Sequence, residues 1–206
     1  MTDVLNGAGG QRLVLASGSA SRRVLLENAG LTFDVQPANF DEVVARKALD
    51  GSGATPGDVA EVLARGKAED VSAVHNDALV IGGDQILALG DDIFEKPADM
   101  DGARHTLMRL RGQKHTLHSA VCLTRGGETI WSHVDTAHLT MRNFSPEWLG
   151  RHLAEVGPQV CQSVGAYQLE GPGVQLFSSI EGSYFTILGL PLLPLLDALR
   201  THGTIA

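Results

Sequence analysis

Residues 12–30 read RLVLASGSASRRVLLENAG, and this stretch decides the architecture. Arg12 to Ala16 is an apolar run of strand length, Ser17-Gly18-Ser19 is a small-residue loop, and Ser21 to Ala29 has helical spacing closed by Gly30, placed for a left-handed C′ position. A strand that enters a helix through so short a loop is the building unit of an α/β sheet. The same loop suits an anion: the first N–H groups of a helix lack intrahelical partners, its dipole is positive there, Ser17 and Ser19 add hydroxyls, and Arg22 sits in the first turn. Ordinary N-capping by Ser19 or Ser21, with a solvated arginine, explains the same residues. No Walker A pattern occurs in the chain, so the loop is not a P-loop.

On either side the pattern continues. Thr32 to Gln36 alternates and predicts a second strand. After a loop at Asp50 to Gly53, Thr55-Pro56 is an N-cap with proline at the first helical position, and Asp58 completes a capping box. The helix that follows carries Val59, Val62, Leu63 and Val71 on one broad face and is expected to run to about His75. Ala78 to Gly82 predicts a short buried strand, interrupted by Gly83-Asp84-Gln85 before a second apolar run at Ile86 to Leu89, with Gly90-Asp91-Asp92 as a hairpin turn. Residues 99–111 read as a helix closed by Gly112; His115 to Thr124 pairs with Thr129 to Met141; Ser145-Pro146-Glu147 opens a helix ending near Val156. Gly165 to Phe177 and Ser183 to Leu188 are strand-like, and Pro191 opens a C-terminal helix. Helices and strands alternate without a strict βαβ period, which predicts an α/β protein with a mixed twisted sheet and flanking helices. Residues 1–11 are polar and Gly-rich and are expected to fray, leaving 12–206 as one domain.

Composition narrows the function. The chain has 206 residues, 43% hydrophobic and 19% charged, enough to bury a sizeable core without staples. Its net charge of −8 is spread along the chain, so no basic half or arm is offered to nucleic acid. Two cysteines, Cys122 and Cys161, make no disulfide framework and no four-Cys zinc site, and the cytoplasm is the expected compartment. The N-terminus lacks signal-peptide architecture, and the apolar run from Ile187 to Leu199 is broken by Gly189, Pro191 and Pro194, so no membrane span is expected. Glycine is in surplus, at 24 residues against about 14 for an average share.

Among chemistry-bearing residues Asp84 stands out. A carboxylate between apolar runs is costly unless it meets a metal, a cation or a proton, although a turn Asp capping its own loop is the plainer alternative. Lys96, after the hairpin that begins at Ile86, could return toward it; Glu42 and Lys67 are weaker by themselves, since surface charges are usually just solvated. Histidine-metal chemistry is not supported: His115 and His118 are three apart on a predicted strand and His133 and His138 five apart, so each pair points to opposite faces. No nucleophile-elbow G-x-S-x-G is present to support a Ser-His-Asp hydrolase.

Taken in order, LVLASGSASRRVLLENAG, FDE, LARGKAEDV, IGGDQILALGDDIFEKP, LRGQKHTLHSAV, VGAYQLEGPG and GSYFTILGLPL resemble the Maf family of nucleoside triphosphate pyrophosphatases, from about Leu13 to Leu199. The resemblance implies two lobes around a cleft, similar to the inosine-triphosphatase-like folds. It implies hydrolysis of a nucleoside triphosphate between the α and β phosphates with Mg²⁺ or Mn²⁺, in a house-cleaning role, and is compatible with a homodimer. The family's association with septum inhibition supplies the alternative, a non-catalytic nucleotide-binding regulator of division. The family's S-x-S-x-x-R motif falls on Ser17, Ser19 and Arg22, its second-motif acid on Glu42, its helix lysine on Lys67, its G-x-D aspartate on Asp84 and its K-P lysine on Lys96. By that likeness Asp84 is the proton acceptor, Glu42 and Asp84 place the metal, and Arg22, Lys67 and Lys96 neutralise phosphate. Gln85 and Glu170 resemble the branch that prefers 7-methylguanosine triphosphate, where a carboxylate favours the cationic base; Ser21 departs from the larger residue usual there.

Overall fold

The computed structural model describes residues 11–206, so the expectation of a frayed start at residues 1–11 lies, apart from Gln11, outside the described residues. In chain order the elements are β1 (Arg12–Leu15), α1 (Ala20–Asn28), β2 (Asp34–Val35), α2 (Glu42–Leu49), α3 (Pro56–Ser72), β3 (Ala78–Leu89), β4 (Asp92–Phe94), α4 (Met100–Leu110), β5 (Lys114–Arg125), β6 (Glu128–Met141), α5 (Pro146–Val156), β7 (Phe177–Glu181), α6 (Tyr184–Ile187) and α7 (Leu192–Thr201). The strands hydrogen-bond in the order β2-β1-β3-β5-β6-β7, with β4 also on β3. β1 is parallel to β2 and β3, whereas β3–β4 and β6–β7 are antiparallel, so the sheet is mixed, as the alternating pattern predicts.

Packing groups the chain into two units, the first made of residues up to Asp84, Ser119–Asp135 and Tyr184 onward, the second of Gln85–His118 and Thr136–Ser183. In the first, parallel pairing requires crossovers, which α1 supplies between β1 and β2, and α2 with α3 between β2 and β3. Its core joins Leu13 and Leu15 of β1, Leu25 and Leu26 of α1, Leu79 and Ile81 of β3, and Leu195 and Leu199 of α7. Each leucine fully removed from water there contributes about 2 kcal/mol. α3 fully buries Ala60, Leu63, Ala64 and Ala68, and it meets β3 where Gly82 lies against Ala64 and Ala68. Small residues are needed at this contact: a Cβ on Gly82 would stand 2.7 Å from the Ala68 Cβ and 2.8 Å from the Cys122 Sγ. Burial pushes the Cys122 thiol up to about 12, which makes it inert. Gly66 sits inside α3 at a cost of about 1 kcal/mol relative to alanine.

In the second unit, α4 buries Ala103, Leu107 and Leu110, and α5 buries Leu149 and Leu153. On β5, the buried His115 shares a hydrogen bond of 2.9 Å between its Nε2 and the Tyr167 hydroxyl, and the Tyr167 ring meets Phe177 edge-on at 4.8 Å. Gly165 is explained by the same cluster, because a Cβ there would lie 2.8 Å from two atoms of the Tyr167 ring.

Three expectations are corrected, and one stretch with no assigned element proves to be a helix. β3 is one strand of twelve residues that runs straight through Gly83-Asp84-Gln85. Glu42–Leu49, read only for its charges, is a helix capped by Asp41, whose carboxylate accepts from the Val44 N–H at 3.0 Å. Residues 165–176 form turns rather than a strand, with Ala166 at a φ of 56° and a 3-10 turn at Pro172–Leu176, because Gly171-Pro172-Gly173 breaks any extended run. Residues 184–187 are a short helix despite their β-favouring Tyr, Phe, Thr and Ile; Gly182 and Gly189 bracket it at φ of 124° and 93°. Smaller departures are that α3 ends at Ser72 rather than His75 and that Val62, assigned to its buried face, is 39% exposed.

Candidate active site

In the strand order β2-β1-β3 the chain leaves β1 for one neighbour and later arrives at the other, so the carboxyl end of β1 is a topological switch point, where open α/β sheets bind ligands. Leu15 pairs with Ile81, and the Ala16 N–H donates to the Ile81 carbonyl at 2.9 Å. From there β1 gives way to Ser17-Gly18-Ser19, while β3 continues as Gly82-Gly83-Asp84 alongside. Two segments 65 residues apart in sequence are thus joined by sheet register.

The serine loop caps the helix, as the plainer reading of the sequence has it. Ser19 is the N-cap of α1, its hydroxyl accepting from the Arg22 N–H at 3.4 Å. Ser17 Oγ accepts from the Ser19 N–H at 3.3 Å and from Arg22 Nη1 at 3.0 Å. Arg22 is not solvated: it is 8% exposed, and its Nε donates to the Gly189 carbonyl at 2.7 Å. Gly83 lies beneath the side chain, where a Cβ would come within 3.2 Å of Nε. Burial pulls the guanidinium below its ordinary value, and the charges of Asp84 and Glu42 push it back up. Gly189 is not among the site residues the sequence points to, although it lies in a segment that carries the family resemblance.

Asp84 is 6% exposed and pairs with a cation. Lys67 Nζ donates to Asp84 Oδ1 at 2.6 Å and lies 2.9 Å from Glu42 Oε1. The turn-cap alternative therefore fails: the aspartate is inside a strand, and α3 brings its counter-ion across the small-residue contact described above. Asp84 Oδ2 is buried without a hydrogen-bond partner. An orphaned carboxylate oxygen is costly and needs a ligand, a water or a proton. Glu42 and Asp84 offer the hard oxygen donors that Mg²⁺ or Mn²⁺ prefers, and such ions bind through one or two carboxylates plus water and substrate phosphate. Among the described residues no group of three His, Cys, Asp or Glu could cage a metal, so the donor set fits an ion shared with substrate.

Of the ten residues singled out from the sequence, Ser17, Ser19, Arg22, Glu42, Lys67 and Asp84 come together in the first unit. Ser21 is half-buried in the first turn of α1, and Gln85 follows Asp84 on β3, half-buried. Lys96, just after β4, and Glu170, ahead of the 3-10 turn at Pro172, are exposed residues of the second unit.

The family model described as Maf-like protein matches residues 12–202. A 7-methyl-GTP pyrophosphatase from Mesorhizobium japonicum is 54% identical over 195 residues, covering 95% of this chain and 98% of its own. A nucleoside triphosphate pyrophosphatase from Paramagnetospirillum magneticum is 51% identical over 190 residues, covering 92% and 98%. A solved nucleoside-triphosphatase (dITP/XTP pyrophosphatase) from Mycobacterium abscessus, a distant likeness, aligns over 94% of both chains at 14% identity with a TM-score of 0.43.

Proposed function

The chain belongs to the Maf-like protein family, and from that premise we propose that it is a nucleoside triphosphate pyrophosphatase, releasing a nucleoside monophosphate and pyrophosphate. The observation that carries this reading is the Lys67 ammonium bonded to Asp84 Oδ1 while Asp84 Oδ2 is left buried and without a partner. Lys67 fixes the carboxylate, and the second oxygen accepts the proton of the attacking water. As the water oxygen bonds to the α phosphorus, the bond to the bridging oxygen toward the β phosphate breaks, and that oxygen leaves with pyrophosphate. Arg22, Lys67 and the α1 N-terminus with Ser17 and Ser19 offset the charge of the phosphates, which is the main demand of phosphoryl transfer. Glu42 and Asp84 would hold Mg²⁺ or Mn²⁺, whose contribution is to neutralise phosphate charge and orient the chain of phosphates.

The roles the family motifs give to Lys96 in catalysis, and to Ser21, Gln85 and Glu170 in choosing the base, belong to the same proposal, as does one two-lobed catalytic domain over 12–206. The 54% identity to a 7-methyl-GTP pyrophosphatase supports that methylated nucleotide as preferred substrate and a house-cleaning role. A cytoplasmic setting accords with this chemistry; among the described residues no helix is long and apolar enough to cross a membrane.

A pyrophosphate-release assay with 7-methyl-GTP, GTP, UTP and dTTP, each with Mg²⁺ or Mn²⁺, tests activity and base preference together. Turnover is expected to be highest on 7-methyl-GTP and to fall about 10²–10⁴-fold in Asp84→Asn, the usual range for losing a general base. No pyrophosphate above the Asp84→Asn control on any substrate sinks the reading.

A further inference from the structure

Helix α2 delivers Glu42 to Lys67, yet it buries no residue of its own, and Val43 and Val44 are each 62% exposed. Its far end runs into a loop with Gly51 and Gly53 at φ of 73° and 79°. Ala45 and Leu49, half-buried on the same face as Glu42, give little of the apolar burial that usually fixes a helix to its neighbour, since helical stability in proteins comes mostly from packing one face. What fastens the near end is Phe40, two residues before Glu42. Its ring lies on Gly66, the residue before Lys67: a Cβ there would stand 3.1 Å from Cε1 and closer still to Cζ and Cε2. The Asn39 N–H adds a bond of 2.9 Å to Asp70 of α3. Ring seat and ion pair therefore join the same two segments, 40–42 and 66–67. The Glu42 side chain is 43% exposed, and an ion pair with one partner that wet is partly screened and costs side-chain entropy, so it does not hold a helix by itself.

We propose that Gly66 and Phe40 are positioning residues, a ring seated in the space of an absent Cβ that holds Glu42 beside Lys67 and Asp84 and so sets the site's affinity for its divalent cation. The glycine inside α3, unfavourable for the helix, is explained by this seat. The catalytic consequence rests on the pyrophosphatase reading; the latch itself does not.

Gly66→Ala, Phe40→Ala and the double variant are compared by hydrogen exchange without metal or nucleotide, by Mn²⁺ binding through water-proton relaxation, and by pyrophosphate release. Exchange over residues 42–49 is expected to accelerate in both single variants while 56–72 stays protected. The Mn²⁺ concentration for half-saturation rises about tenfold in each, the scale seen when partners that orient a metal ligand are lost. Saturating Mn²⁺ restores turnover to near wild type, which a damaged fold would not allow, and Gly66→Ala adds nothing once the ring is gone. Unchanged exchange over 42–49 in both single variants, loss of protection across α3, or additive effects in the double variant overturns the latch. Should wild type release no pyrophosphate, the functional reading falls while the exchange and Mn²⁺ arms still decide the latch.

Discussion

At Asp84 the two carboxylate oxygens have different fates, Oδ1 on Lys67 and Oδ2 on nothing the protein provides, and in the proposed reaction that asymmetry separates holding the side chain from using it. His115 shows a different use of burial. Desolvation pushes its imidazole from 6.5 down to about 4, so the folded protein binds that proton more weakly than the unfolded chain. Stability from this group is complete above pH 6.5 and falls as pH drops toward 4, by roughly 3 kcal/mol in total. His118 and His152 are lowered in the same sense, so only a difference isolates the effect. Urea unfolding of wild type and His115→Gln at a series of pH values between 7 and 4 is expected to show a shallower slope in the variant; identical slopes would mean that His115 does not set the dependence.

Among the elements, α3 and α2 were unequally visible. α3 announces itself with Thr55, Pro56 and Asp58, and the structure forms that capping box, Thr55 Oγ1 accepting from the Asp58 N–H at 3.2 Å and the Asp58 carboxylate accepting from the Thr55 N–H at 2.8 Å. Thr55→Ala is expected to lower stability by about 1 kcal/mol, measured by the shift in urea midpoint at constant m-value. α2 has cap and charge signals too, Asp41 and Glu42 at its start with Arg46 and Lys47 at its end, but it is only eight residues long and its helically spaced apolar positions, Val44, Ala45, Ala48 and Leu49, are too few to set a helix apart from a loop. β3 failed in the opposite direction: a Gly-Gly-Asp-Gln tract looks like a turn, yet its charge is met by Lys67 and its glycines by close packing, so the strand continues.

Across the whole molecule a net charge of −8 repels a polyanion at long range, while in the first unit Arg22, Lys67 and the α1 N-terminus balance Asp84 and Glu42, so the site itself is near neutral before the proposed metal adds its charge. The proposed metal, shared with substrate rather than caged by protein, makes a global prediction. EDTA is expected to abolish pyrophosphate release while the melting temperature moves by less than about 1 °C, because an ion that staples no fold adds little to folding stability. A large fall in melting temperature on chelation would point to a structural metal instead.

From the sequence alone came the α/β class, the strand-loop-helix at residues 12–30, most helix starts and stops, the family likeness and the charged candidates themselves. These are short-range matters: caps, turn glycines and apolar periods act within a few residues of themselves, so linear order preserves them. Tertiary structure decided what those charges meet. It made Arg22 a buried group held by Gly189, gave Lys67 two carboxylates from residues 25 and 17 positions away, and seated Phe40 on Gly66. Such contacts depend on sheet register and on how closely α3 approaches β3, distances fixed by packing among residues far apart in the chain, for which a single sequence has no local signal.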